Sequence, residues 1–167
     1  MGAMMGVDPT RVDDTAQFPL GTECDDPRQA DFPGNVIRYV KAGAAFVYGT
    51  ALQKDVAVTA GSPSIRGKQM LPCAATTPLT ATVSAICHVA CAINKFVWVT
   101  VKGLVPNCVV PDALAVGTVM IGGASGAFVD ASGAGTETAE LDYTIAGGLR
   151  CLLVEDMGTS LGRVRID

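Results

Sequence analysis

The last third of the chain, from Leu114 to Asp167, alternates short apolar runs with glycine-containing breaks, and this spacing constrains the fold more than any other feature. The runs consist of β-branched or small apolar residues, and the breaks are built from Gly, Ser, Asp and Thr. Runs of this kind between turn residues are typical of short strands joined by tight connections. The sequence therefore predicts a mainly β fold, a sandwich or barrel of short antiparallel strands.

Two earlier segments carry the same signal. The run from Val36 to Ala42 alternates well enough for a strand, and Phe96 to Lys102 is the clearest strand of the chain. In the second run the valines occupy every other position and face one side of a sheet. Trp98 falls on the opposite side, where we expect a core residue.

One short helix is predicted over Thr80 to Asn94, because apolar residues such as Val83, Ile86 and Ala90 recur there at helical spacing. Thr82, Val83 and Ile86 are also compatible with a strand. This stretch belongs to a predicted insertion over residues 61–95, which begins with a proline- and glycine-marked loop. The sequence thus predicts a β-rich domain over 36–167 that contains the 61–95 insertion.

Residues 1–35 differ in composition from the rest of the chain. They hold seven acidic residues and four prolines, with few periodic apolar positions. Such a composition predicts an extended N-terminal arm without a core of its own, either a disordered leader or a segment laid across a neighbouring subunit. In the second case Phe18, Leu20 and Phe32 are its candidate anchors.

Composition narrows the class of partner. The chain has 167 residues, of which 49% are hydrophobic and only 5% aromatic, and its mean hydropathy is +0.37. A positive value without a membrane segment predicts surface that is buried against other chains, a homo-oligomer or a larger assembly. The longest charge-free apolar stretch is shorter than the roughly 20 residues that span a membrane, and no secretion signal is recognisable. The net charge of −4, with scattered basic residues, does not favour nucleic acid as a partner.

Cysteine and histidine offer the candidate chemistry. His88 is the only histidine and lies between Cys87 and Cys91, a pattern compatible with a metal site or a cysteine nucleophile with a histidine base. No second pair of Cys or His residues stands near it, so packed small residues are the simpler interpretation. Without a secretion signal, we expect the six cysteines to be reduced and mostly buried.

Other catalytic patterns are weak. No serine lies in a Gly-x-Ser-x-Gly turn, and the glycine clusters at 122–126 and 133–135 do not continue into the Gly-Lys-Ser/Thr start of a phosphate-binding helix. We interpret the first cluster as a hairpin tip. The sequence assigns no catalytic residue, no cofactor and no metal ligand.

A resemblance to a known family rests on glycine placement and strand rhythm over about residues 36–167. In these features the chain resembles the capsid cement, or head decoration, proteins of tailed bacteriophages. The segments that carry the resemblance are Tyr48 to Leu52, Phe96 to Gly103, Ala115 to Ile121, Phe128 to Asp130, Ala146 to Leu149 and Gly162 to Asp167.

The resemblance implies a non-enzymatic structural protein on the outer capsid surface of a virion assembled in the host cytoplasm. Members of this family are often trimers that brace joints between subunits of the major capsid protein, which is the implied partner here. The acidic leader and the 61–95 insertion depart from the family pattern, and the leader is a candidate clamp. The alternatives are another phage virion component (fibre, baseplate or tail tube) and a small enzyme that uses a Cys–His site.

Overall fold

A computed structural model describes residues 6–28, 33–55, 68–73, 83–112, 114–131, 151–158 and 160–167 of the chain. The described residues form a mainly β structure, which confirms the predicted fold class. Its strands are β1 (Val12–Asp13), β2 (Glu23–Asp25), β3 (Val36–Ala42), β4 (Ala51–Lys54), β5 (Gln69–Pro72), β6 (Ala85–Cys87), β7 (Phe96–Val109), β8 (Val119–Gly122), β9 (Phe128–Asp130), β10 (Cys151–Gly158) and β11 (Leu161–Ile166).

The predicted helix over Thr80–Asn94 is wrong in the part that the structure describes. Residues Ala85–Cys87 form strand β6, and the only helical element among the described residues is a single 3-10 turn at Ala124–Gly126. The alternation of small and β-branched side chains in β6 suits a strand whose two faces are both buried. Residues 80–82 lie outside the described part of the chain.

Five strands close into a ring. Strand β7 pairs antiparallel with both β3 and β6, β6 pairs with β4, β4 pairs with β5, and β5 returns to β3 through a short parallel ladder. This ring is a small β-barrel, which leaves no free edge on those strands where they are paired. The described parts of the predicted 61–95 insertion supply two of its walls, β5 and β6, so they belong to the barrel and form no separate lobe.

The barrel interior explains why the chain is rich in small apolar residues and poor in aromatic ones. Alternate residues of the ring strands form one buried cluster that includes Val40, Leu52, Ala85, Cys87 and Val99. A barrel of so few strands encloses little space, so its inward positions favour small and β-branched side chains over aromatic ones. The predicted alternation in the Phe96 run is confirmed, because Val97, Val99 and Val101 belong to this interior cluster.

Strand β7 extends beyond the barrel into a second sheet. Its first half pairs with β3 and β6, and its second half, from Gly103 onward, pairs with β11. Gly103 has a φ of 108° and packs directly against Asn35, where a Cβ atom would collide with the asparagine side chain. The Asn35 side chain accepts a hydrogen bond from the Leu104 N–H (2.7 Å) and donates one to the Leu104 carbonyl (2.8 Å). Asn35 directly precedes β3, so these bonds extend the β3–β7 ladder on the N-terminal side of β3.

The C-terminal sheet is the ladder of strands that the last third of the sequence predicts. Its order is β7, β11, β10, β8 and β9, all antiparallel. The predicted hairpin tip is also confirmed, since the turn with Ser125 and Gly126 at positive φ joins β8 to β9. Residues 132–150, which include the second glycine cluster, lie outside the described residues.

The largest core lies between the barrel and this sheet. It contains outward-facing barrel residues such as Ala51 and Ile86 together with Met120, Phe128 and Leu153 from the C-terminal sheet. Gly49, at a φ of 77°, lets the loop before β4 lie directly on the backbone of Asn107 and Cys108 in β7. The barrel and the C-terminal sheet are therefore in direct backbone contact at this point.

Candidate functional site

The N-terminal segment lies across an outer face of the barrel. Strand β1 pairs with the start of β7 through Val12 and Val97, and β2 pairs with β3 through Cys24 and Ile37. Cys24 is fully buried. Where the structure describes it, the predicted arm thus packs on its own barrel, and it supplies the cover for the outward faces of β3 and β7.

Aromatic rings fasten this cover. The ring of Phe18 lies 5.3 Å from that of Tyr39 and 5.2 Å from that of Trp98, both in edge-to-face geometry. Phe96 stacks on Tyr39 at 6.3 Å. Edge-to-face pairs at such distances add stability beyond the area they bury. The prediction that Trp98 is a core residue is confirmed, because only 1% of it is exposed.

The three predicted anchors have different outcomes. Phe18 and Leu20 are partly buried and pack against the cluster of Cys24, Ile37, Tyr39 and Trp98, so both contact this chain itself. Phe32 lies outside the described residues. A role for Phe18 and Leu20 in contact with a neighbouring subunit stays a prediction.

A buried carboxylate lies beside the aromatic cluster. Asp13 is 5% exposed, and its Oδ2 accepts a hydrogen bond from the Tyr39 hydroxyl at 2.7 Å. The same hydroxyl oxygen accepts from the Gln17 N–H at 3.2 Å. Burial, together with the negative charge of Asp13, raises the pKa of Tyr39 to about 12. The phenol therefore stays protonated and remains a donor at neutral pH.

The other oxygen of Asp13 is held differently. Its Oδ1 lies 2.6 Å from Nε of Arg11, but it receives no hydrogen bond from the described residues. The Arg11 side chain is 63% exposed, whereas that of Asp13 is 4% exposed. A surface cation thus covers a buried anion without aligning a donor with it.

His88 fastens the N-terminal segment from the barrel side. Its Nε2 lies 2.8 Å from the Pro9 carbonyl and its Nδ1 lies 3.0 Å from Oγ1 of Thr100. A carbonyl only accepts, so Nε2 carries the proton and Nδ1 accepts from the threonine hydroxyl. Burial lowers the pKa of His88 to about 4, and the imidazole is therefore neutral. The bonded geometry pairs His88 with no cysteine.

The six cysteines are free and buried, as predicted. Burial raises the pKa of Cys73, Cys87 and Cys108 to about 12 and that of Cys91 to about 11. Thiols with such values are protonated near neutral pH and are poor nucleophiles and poor metal ligands. Among the described residues, no group of three or more His, Cys, Asp or Glu side chains is arranged to hold a metal ion.

The C-terminal sheet carries exposed apolar side chains. Val109 of β7 and Val154 and Met157 of β10 are each at least 40% exposed. Strand β11 separates β7 from β10, and its Leu161 is in register with Val109 on one side and with Gly158 on the other. Val109 is thus two strands away from Gly158, about 10 Å across the sheet, and Met157 directly precedes Gly158 at a register shift in β10. We call Val109, Val154 and Met157 the outer-sheet patch.

Sequence reasoning missed the residues that hold the N-terminal segment. Asp13, Tyr39 and Pro9 act through partners 26 to 79 positions away along the chain. The sole local signal was the isolation of His88 among apolar neighbours, since a lone histidine in such a stretch needs a buried hydrogen-bond partner.

These observations define a mainly β protein built from a small closed barrel, a C-terminal sheet that shares β7, and an N-terminal segment docked on the barrel. No described helix has the length and apolar character to cross a bilayer. No family model, no curated protein and no solved structure matches the chain.

Proposed function

We propose that this protein is a capsid decoration protein of a tailed bacteriophage, which binds the outside of the assembled major capsid lattice and stabilises it. The observation that carries the proposal is the outer-sheet patch. Exposed apolar surface marks candidate sites for contact with another protein, and these three side chains supply such surface on the C-terminal sheet. The resemblance of residues 36–167 to capsid cement proteins supplies the identity of the partner.

The attachment of the patch to paired strands supports the same function. A decoration protein works by mass action, because a ligand that binds only the assembled lattice adds its binding free energy to that state. Little of that free energy is lost when the binding surface is already ordered before contact. The patch lies on strands that are paired, through β11 and β7, to the barrel, which favours a surface that is in place before contact.

Charge is consistent with an exterior position. The net charge of −4 disfavours the DNA-filled interior of a head, where a basic surface binds better. The homotrimer that the family resemblance favours would bring three patches together on one capsid site. Multivalent contact of that kind strengthens binding without any additional type of contact.

The test is co-sedimentation with capsids. Heads assembled from the major capsid protein of the same virus are mixed with the purified 17.1 kDa chain and separated on a gradient. We expect the protein to sediment with heads and to raise the temperature at which they break open. Unassembled major capsid protein should bind weakly, and equal binding to both forms would contradict the proposal.

A charge in the patch sharpens the test. Met157→Lys should abolish co-sedimentation, since it places an ammonium in an apolar contact. Val116→Lys is the matched control, because Val116 is 67% exposed on a loop outside the patch. Both variants should show the wild-type circular dichroism spectrum. Retained binding by Met157→Lys, or equal loss in both, would remove the patch from the interface.

A further inference from the structure

A cleft of about 190 Å³ opens between the N-terminal segment and the barrel. Two aromatic rings line it, those of Phe18 and Trp98, together with the polar side chains of Asp8, Arg11, Asp13 and Gln17. Its volume is below the roughly 300–1,000 Å³ of pockets that hold drug-sized ligands. The cleft is therefore sized for a single side chain or a fragment.

The polar lining favours a cation. The cleft has two acidic residues, Asp8 and Asp13, and one basic residue, Arg11. This surplus of carboxylates repels anions and attracts positive groups. Hydrogen bonds from the N–H and hydroxyl of Thr10 to Asp8 lower the pKa of that carboxyl, so it is ionised at neutral pH. The partly buried ring of Phe18 adds an aromatic surface that a delocalised cation contacts favourably.

Asp13 provides the point of attachment. It is buried, its Oδ2 is held by Tyr39, and its Oδ1 lacks a hydrogen-bond donor although Arg11 lies 2.6 Å away. Among the described residues the ion pair with Arg11 is what holds this oxygen, and a well-aligned N–H would add a hydrogen bond to it. The exposed Arg11 side chain is free to turn toward solvent, because its 63% exposure leaves it few packing contacts.

We propose that this cleft binds the guanidinium group of an arginine side chain presented by a protein partner, which takes the place of Arg11 on Asp13. A guanidinium satisfies both requirements of the site. It donates planar, directional hydrogen bonds to a carboxylate and it stacks on aromatic rings, whereas an ammonium is compact and strongly hydrated. The site shares no residue with the outer-sheet patch, and its occupation does not depend on the capsid proposal.

Trp98 reports occupation directly. It is the only tryptophan of the chain and it lines the cleft, so its fluorescence needs no label. The probe is N-acetyl-arginine amide in the millimolar range. The control ligand is N-acetyl-citrulline amide, which has nearly the same shape but no charge. We expect a saturable change in emission with the arginine compound only, and N-acetyl-lysine amide should bind several-fold more weakly.

Two variants separate displacement from simple attraction. Arg11→Gln removes the internal competitor and should tighten binding by up to about fivefold, the equivalent of one exposed ion pair. Asp13→Asn should abolish the response, with circular dichroism to verify its fold. Arg11→Gln changes an exposed side chain and keeps the test valid even if Asp13→Asn does not fold. Equal responses to the arginine and citrulline compounds, or weaker or unchanged binding by Arg11→Gln, would overturn the proposal.

Discussion

Nε2 of His88 donates a hydrogen bond to the carbonyl oxygen of Pro9 across 79 positions of sequence, at 2.8 Å. The other ring nitrogen is engaged by Thr100, a barrel residue on β7. A neutral imidazole thus fastens the N-terminal segment to the barrel. Its protonation would place a charge in a buried site and oppose the bond that Nδ1 accepts.

The first prediction concerns acid stability. The folded-state pKa of His88, about 4, lies below its ordinary value of 6.5, so the unfolded chain takes up the proton first as the pH falls. The stability that the neutral form contributes is complete above about pH 6.5 and is lost progressively toward pH 4, to a total on the order of 3 kcal/mol. Urea unfolding over this range should show it.

His88→Gln is the control for that measurement, since glutamine does not titrate there. The wild-type free energy of unfolding should fall more steeply than that of the variant between pH 6.5 and 4. Buried or paired carboxylates affect both proteins alike. Parallel curves would show that His88 is not buried in its neutral form.

A second prediction concerns the junction in β7. Asn35→Ala removes both hydrogen bonds to the Leu104 backbone and leaves those groups without partners, which should cost about 2 kcal/mol. Asn35→Asp keeps the acceptor for the Leu104 N–H but loses the donor, so it should also destabilise the protein. Chemical denaturation at neutral pH measures both. Wild-type stability in both variants would mean that the side chain does not continue the ladder.

A third prediction uses two glycines with similar backbone angles. Gly117→Ala places a Cβ in open space at a φ of 90°, so only backbone strain of about 1 kcal/mol is expected. Gly49→Ala adds a collision with the backbone of Asn107 and Cys108, and its cost should exceed that of the first variant by about 1–3 kcal/mol. Comparable melting temperatures would show that the barrel and the C-terminal sheet are not packed at backbone distance.

A fourth prediction concerns the aromatic cover. Phe18→Ala deletes a partly buried ring and two edge-to-face contacts, which should cost about 3 kcal/mol and shift the Trp98 emission to longer wavelength as water enters. Val47→Ala, at a position 63% exposed, should leave both unchanged. An unshifted emission in Phe18→Ala would place Trp98 under other cover.

A fifth prediction concerns the thiols. Because all six cysteines are buried, they should react slowly with a thiol reagent in the native protein and all at once in denaturant. Cys91 should be the first to react, since its pKa rises only to about 11. One fast thiol in the native state would indicate an activated cysteine.

The strands of the last third and of the Phe96 run were predictable because their signals are local. Glycine breaks and alternating valines are read within a few residues, and packing did not override them. Strand β5 was missed because four residues that end in Pro72 carry too weak a pattern. Strand β6 was mistaken for part of a helix because its small side chains suit either periodicity, and only the need to fill a narrow barrel decides between them.

The site was less predictable, for a related reason. The composition of residues 1–35 predicted an extended arm without a core of its own. It could not indicate that Phe18 completes a cluster built on Tyr39 and Trp98, which are far away in sequence. The pairing of Asp13 with Tyr39 is equally non-local, and a buried carboxylate among six other acidic residues looks like any solvated one.

Strand β7 has a mechanical consequence. A load applied at Asp167 passes along β11 to β7 through backbone hydrogen bonds that run across the pulling direction, and from there directly into the barrel wall. Hydrogen bonds loaded in this direction resist together, and β7 carries the load from the C-terminal sheet into the barrel. We expect the β7–β11 ladder to yield cooperatively and at high force when it is loaded in this direction.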